Sequence, residues 1–407
     1  MNPLPVMLAE FRRSRVGCIA VVMLIALAVA LGVAVSAQER ALRRGSARAA
    51  DDFDLLVGAP GSQTQLVLST VYLQPASVPL LPGRVLQKLS TEPGVAFAAP
   101  IGFGDRWRTY PIVGSTPDFV TAGGGRAPDE GRVFAAIYEA VIGADVDSRI
   151  GEHIIPSHGQ PGTGHASIAD DEEDEHKGID YTVVGRLPRR GTPWDRAIIV
   201  PIEAVWEVHG LPTGHPAGDP HIGPPWESEP AGVPAIVVKP KTVMAAYQLR
   251  GLYRGGGTLA VFPAEILVEL YRTLGDARDL LAAISVATEI LVVGAVLLAV
   301  GALLAMRARQ LAILRALGAS RGYVFLVVWC QVSSLIVAGG GLGLLLGYGG
   351  ARLMAAVLTA RTGLVLSVRL GGPEAVMVGG LILAGMVLAL VPAIASYRRP
   401  VIDGLKG

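Results

Sequence analysis

Four long apolar runs of this chain carry no charged side chain: Gly17–Ala37, Ile290–Met306, Gly322–Ala351 and Ala375–Ser396. A helix rises about 1.5 Å per residue, so roughly 20 apolar residues cross a hydrocarbon core of about 30 Å. Each run spans or nearly spans that distance, and a helix apolar on every side has to be buried on every side. One run lies near the N-terminus and three crowd the last third, leaving a long middle segment that alternates β-rich and helical stretches. The fold class that follows is a membrane all-α bundle of four transmembrane helices with a large inserted α+β extracytoplasmic domain. Composition agrees, since charged residues make up 17% of the chain, below the roughly 25% of soluble domains.

Arginines orient the bundle. Arg12, Arg13 and Arg15 precede the first run, Arg307, Arg309, Arg315 and Arg321 separate the second from the third, and Arg398, Arg399 and Lys406 follow the fourth. The positive-inside rule then places both termini in the cytoplasm of a multi-pass protein of the cell membrane. Arg352, Arg361 and Arg369 fall on the expected outer loop, against the rule, but the count of crossings requires that loop to be outside. The divisions are residues 1–37 for the cytoplasmic N-terminus and first helix, 38–279 for the extracytoplasmic domain, and 280–407 for the stalk, three helices and cytoplasmic C-terminus. A cleaved signal peptide ending at Val35-Ser36-Ala37 is the competing reading for the first run, whose length exceeds the usual apolar core of about 7–15 residues. Pro263 opens a periodic stretch through Ala283, so the second helix is expected to continue outward as a stalk.

Gly339, Gly343 and Gly347 recur every four residues in the third run, lining one helical face with hydrogen atoms so that another helix backbone can approach. In the middle segment, strands are expected at Phe53–Val57, Val95–Ala98, Tyr181–Val184, Ala197–Val200 and Ala235–Val238. Helices are expected at Arg84–Leu89 and Ile202–His209, and a Pro- and Gly-rich loop at 211–234. Both cysteines, Cys18 and Cys330, lie in apolar runs, so no disulfide staples this segment.

The chain contains no GxxxxGK[ST] phosphate loop, no HExxH zinc helix and no GxSxG nucleophile elbow, which argues against an enzyme or a self-contained ATPase. A net charge of +1 gives no reason to expect nucleic acid. All seven histidines lie between His153 and His221, and four of them, His153, His158, His165 and His176, surround the acidic run 170–175. Imidazoles beside carboxylates suit zinc or another divalent transition metal, whereas a solvated acidic loop is the plainer reading of 153–176.

Between the second and third runs, residues 307–321 have the pattern of a short amphipathic helix. Leu311, Ile313, Leu314 and Leu317 form its ridge, and Gly318 is placed to end it in a left-handed cap. Its sequence, Gln310-Leu-Ala-Ile-Leu-Arg-Ala-Leu-Gly-Ala319, resembles the E-I-G-I-L-R-A-L-G-A signature of the MacB/FtsX-like ABC transporter permeases. Pro392-Ala393 and Pro400-Val-Ile-Asp-Gly-Leu405 resemble the ending of that family. Gly131-Arg-Val-Phe134, Glu139-Ala-Val-Ile-Gly143 and Tyr181-Thr-Val-Val-Gly-Arg-Leu187 resemble its periplasmic core.

The resemblance implies an inner-membrane permease subunit, a homodimer or heterodimer served by separate cytoplasmic ABC ATPase subunits. Such a permease carries ATP-driven motion to its periplasmic domain, for export or extraction of a periplasmic or membrane substrate, with a possible periplasmic partner. Carried over, the coupling role falls on Gln310, Leu311, Ile313, Leu314, Arg315, Leu317 and Gly318. Gln310 stands where the family has glutamate, and Gln331 where an acid is common, which moves expected docking from ion pairs to burial of Leu311 and Leu314 at about 25 cal/mol/Å². The alternatives are a zinc-linked transport permease whose histidine loop senses or buffers metal, and a membrane-anchored scaffold without ATPase.

Overall fold

The computed structural model describes residues 4–157, 179–273 and 318–391, scattered positions from 275 to 316, and residues 393 and 394. In chain order it begins with helices α1 (Leu4–Arg13) and α2 (Arg15–Ala50). Strand β1 (Leu55–Gly58), α3 (Gln63–Tyr72), α4 (Gly83–Ser90), β2 (Val95–Trp107), β3 (Tyr110–Ser115) and α5 (Pro117–Thr121) follow. Next come β4 (Glu130–Gly131), β5 (Glu139–Ile142), β6 (His153–Ile154), β7 (Tyr181–Arg186), β8 (Ile198–Pro201) and α6 (Ile202–Val208). The series closes with β9 (Ala235–Pro240), α7 (Val243–Tyr253), β10 (Leu259–Val261), α8 (Arg321–Thr362) and α9 (Gly372–Leu388). Residues 263–273 are also helical, beginning at Pro263.

The chain divides into two units. One comprises Met1–Arg43, Leu274–Val357 and Ser367–Gly407; the other comprises Arg44–Thr273 with Leu358–Leu366. In the first, α2 and α8 are each long and apolar enough to cross a membrane, while the apolar helix α9 is shorter. Cys18, Val21, Ile25, Val29 and Val33 of α2 form a core with Val328, Val332, Leu335 and Ile336 of α8 and Val378 of α9. Short α1 adds Met7 against Tyr323 and Val327. Ser320 caps α8, its Oγ accepting from Tyr323 N–H at 3.2 Å.

The second unit is built on a ten-stranded mixed sheet in the order β10-β1-β9-β2-β3-β8-β5-β7-β4, with β6 also pairing β7. The pairs β3–β8 and β5–β7 are parallel, and the rest are antiparallel. Strands β1 and β8 are buried at every position and read as continuous apolar runs, whereas β7 alternates buried and half-buried side chains with the period of a strand. Strand β2 changes partner along its length: Val95–Ile101 pairs with β9 and Gly102–Trp107 with β3, with an irregularity between Phe103 and Arg106. Helix α6 lies tight on the sheet because a Cβ at Gly102 would stand 2.6 Å from Ile202 Cδ1, and one at Gly114 2.6 Å from Val205 Cγ2. The segment between α8 and α9 joins this unit, since Val365 N–H donates to Gly191 O at 3.1 Å and Arg196 Nη1 to Ala360 O at 2.7 Å.

All five expected strands and both expected helices of the middle segment are present, within a few residues at their ends except for β2, which runs nine residues beyond Ala98 to Trp107. Three further boundaries differ. Helix α2 does not stop at Ala37 but runs to Ala50, and the division between units falls at Arg43/Arg44 rather than 37/38. Helix α8 runs on to Thr362, so Arg352 and Arg361 are helical rather than in a loop. Residues 352–362 are dominated by good helix formers, and Gly363, at φ 72°, ends the run. The expected outer loop is correspondingly shorter. Apart from scattered positions, the expected crossing Ile290–Met306 lies outside the described residues, so the structure describes three of the four apolar helices.

Candidate functional site

The glycine face of α8 meets α2. A Cβ added at Gly339 would stand 2.7 Å from Ile25 Cβ, one at Gly343 2.7 Å from Ala26 O, and one at Gly347 2.6 Å from Ala30 O. Any side chain there would collide with the facing helix, so glycine is what permits this approach. The matched positions advance together, 25, 29 and 33 against 339, 343 and 347, which makes α2 and α8 parallel. Helix α9 runs the other way: Gly340 faces Ile382, Gly385 faces Ile336, and Trp329 Nε1 donates to Met386 O at 3.0 Å.

The first turn of α9 is tied to α2 by a buried carboxylate. Glu374, 1% exposed, accepts from Ser36 Oγ at 2.8 Å, from Arg40 Nη2, and from the Gly371 N–H at 3.0 Å. Ser36 and Arg40 stand one turn apart and present both donors on one face. The backbone bond and the helix N-terminus favour an anion at this place. The pair joins residues 334 positions apart, and its only signal in the sequence is a charge at the border of each of two apolar runs.

Of the coupling residues, Gln310, Leu311, Leu314 and Leu317 lie outside the described residues. Ile313 is 45% exposed, Arg315 is half-buried, and Gly318 has φ 98° with its N–H donating to Arg315 O at 3.1 Å. His158, His165 and His176 also lie outside. His153, on β6, pairs its Nδ1 with Asp180 Oδ2 at 2.7 Å, and both side chains are exposed. Among the described residues no group of three or more His, Cys, Asp and Glu side chains is placed to hold a metal.

The described residues of the sheet domain also assemble a buried polar cluster around Glu203 that the sequence reading missed. Glu203 on α6 is 1% exposed; its Oε1 accepts from Gly223 N–H at 2.9 Å and Trp226 Nε1 at 3.3 Å and stands 3.6 Å from His215 Nε2. Burial pushes this carboxyl above its ordinary range. The partners come from the loop 211–234, which is pinned down here through side chains and backbone. The presence of His215 and Trp226 in that loop was the available signal.

Residues 282–401 match the family model of the FtsX-like permease C-terminal domain. The chain's C-terminal segment is similar to an FtsX-like permease C-terminal domain. The matched segment takes in α8, α9 and the glycine face. No curated protein matches the chain. Solved structures that are similar to part of it include two periplasmic or extracellular domains. The periplasmic region of MacB from Actinobacillus actinomycetemcomitans is 9% identical, with a TM-score of 0.33 over 55% of this chain and 95% of that one. The extracellular domain of the noncanonic ABC-type transporter YknZ from Gram-positive bacteria is 12% identical, with a TM-score of 0.29 over 51% and 98%.

Proposed function

We propose that this chain is the permease subunit of an ABC transporter, passing ATP-driven motion from separate cytoplasmic ATPase subunits to its extracytoplasmic domain. The observation that carries this reading is a pair of parallel helices, α2 and α8, zipped along glycine, with α8 inside the segment that matches the FtsX-like permease C-terminal domain. Each is unbroken over 36 and 42 residues, about 54 and 63 Å, well beyond a hydrocarbon core of about 30 Å. Their parallel sense supports four crossings. If α2 leads outward to the sheet domain and α8 leads outward again, the chain has to return between residues 273 and 321, where Ile290–Met306 is the apolar run. Helix α9 returns it once more, leaving both termini in the cytoplasm.

In this reading residues 307–321 dock on the ATPase through Leu311 and Leu314, and the permease works as a homodimer or heterodimer, for export or extraction of a periplasmic or membrane substrate. Two experiments test it. Single cysteines at Ser157 and Ser320, in a variant lacking Cys18 and Cys330, are labelled on whole cells with an impermeant maleimide. Labelling of Ser157 alone is expected, and labelling of Ser320 alone overturns the topology. Leu314→Asp, which puts an unpaired carboxylate in the interface, should abolish co-purification of the ATPase, while Gln310→Ala should preserve it. The opposite pattern overturns docking by burial.

A further inference from the structure

A recess in the sheet domain opens beside the turn 193–196, with a cavity volume of about 40 Å³. That is room for about three waters, or for one apolar group the size of a side-chain end. Its wall is aromatic. Phe119 and Trp194 stand 4.8 Å apart between ring centroids, with Phe53 at 6.0 Å from Trp194 and 6.2 Å from Phe119. Trp194 is 9% exposed, and its Nε1–H is buried with no hydrogen-bond partner among the described residues. A buried donor left unmatched in this way costs free energy unless something supplies the acceptor.

The polar part of the lining sets two arginines, Arg126 and Arg190, against two aspartates, and both aspartates are already engaged. Asp52 is engaged by two arginines, its Oδ2 lying 2.9 Å from Arg126 Nη2 and 2.5 Å from Arg190 Nη1. Asp195, the other acid, is taken up by the backbone N–H groups of Arg190 and Gly191 at 2.6–3.1 Å. Each guanidinium carries five N–H donors, so both arginines keep donors beyond the one spent on Asp52. An apolar recess flanked by spare guanidinium donors matches an acceptor-bearing anion attached to an apolar group.

We propose that this recess binds a small carboxylate, its apolar group seated against Phe53, Phe119 and Trp194 and its carboxylate held by Arg126 and Arg190. The site belongs to the sheet domain alone and does not depend on the permease reading. The test uses the full chain in lipid nanodiscs, with N-acetylphenylalanine as probe and N-acetylphenylalaninamide as its uncharged counterpart, followed by calorimetry. The acid should bind, and the amide should bind at least about tenfold more weakly, because it cannot meet both guanidinium groups as an anion does. Arg126→Gln and Arg190→Gln should each weaken the acid about tenfold. Trp194→Phe keeps an aromatic face but removes the N–H and part of the ring system, so it should weaken both probes, with some loss in melting midpoint from the space it leaves. Absence of acid binding to the unaltered protein, equal binding of acid and amide, or unaltered binding by all three variants overturns the proposal.

Discussion

Glu139 opens β5 with its carboxylate held from several sides: both guanidinium ends of Arg132 reach it, and the Ala135 N–H donates to Oε2 at 2.8 Å. Arg132 is the largest influence holding this acid at about 2, well below an ordinary value of 4.5. A depressed carboxylate adds stability that is complete above its ordinary value and is lost as pH falls through the folded value. Glu139→Gln should therefore lower the melting midpoint at neutral pH and match the unaltered protein near about pH 2. A difference that persists unchanged in acid would mean that packing, not charge, is what Glu139 supplies. Glu203 has the opposite sign. Burial raises it, so below the ordinary carboxylate range both states are protonated and nothing differs, while above the folded value its ionisation works against the fold. Glu203→Gln should raise the midpoint in alkaline buffer and converge with the unaltered protein in acid, and thermal melts across pH read this directly.

At the scale of the element, Gly343 and Gly341 make a matched pair on one helix. A Cβ at Gly343 would sit 2.6 Å from Val29 Cβ and 2.7 Å from the backbone oxygen of Ala26, whereas one at Gly341 meets nothing within 4 Å. Gly343→Ala should push α2 and α8 apart and lower thermal stability, because a backbone atom cannot move aside as a side-chain end can. Gly341→Ala should leave stability unchanged or raise it, by up to about 1 kcal/mol of helix propensity. Equal effects from both would remove the case for close packing on this face. The four-residue spacing made this face legible in the sequence, but its partner was hidden. Ile25, Val29 and Val33 repeat with the same period inside a run where every neighbour is also apolar, so no contrast marks them. Helix α1 escaped notice because its ten residues end in arginine and read as a flank. Length does not separate the legible strands from the others: four-residue β1 and β8 stand out as unbroken apolar runs, whereas β3 opens on Tyr-Pro and β5 on Glu, which interrupt the apolar pattern. Glu374 with Arg40, and Glu203 with His215, depend on chain closures that spacing does not encode.

The whole molecule turns on helix continuity. Helix α8 begins at Arg321, beside the residues expected to meet an ATPase, and ends at Thr362, where residues 358–366 pack with the sheet domain. A helix resists compression along its axis, so an unbroken α8 would carry displacement from one end to the other. A break placed where no packing is lost isolates that property. Met354 is 54% exposed, and proline there removes the hydrogen bond to Gly350 and clashes with its carbonyl, costing about 3 kcal/mol of helix and kinking it. In the proposed mechanism, Met354→Pro should leave ATPase co-purification intact, because residues 307–321 are untouched, while uncoupling the domain. For the proposed homodimer, the measurement is an electron-resonance distance between spin labels on Val243→Cys in two copies of a cysteine-free background, in nanodiscs with the ATPase and ADP or ATP. Val243 is 76% exposed, so the label displaces little. The unaltered helix should give a nucleotide-dependent change in distance, and Met354→Pro should flatten it. A full change surviving the proline would mean that motion reaches the domain by another route, with α2 as the remaining unbroken connection.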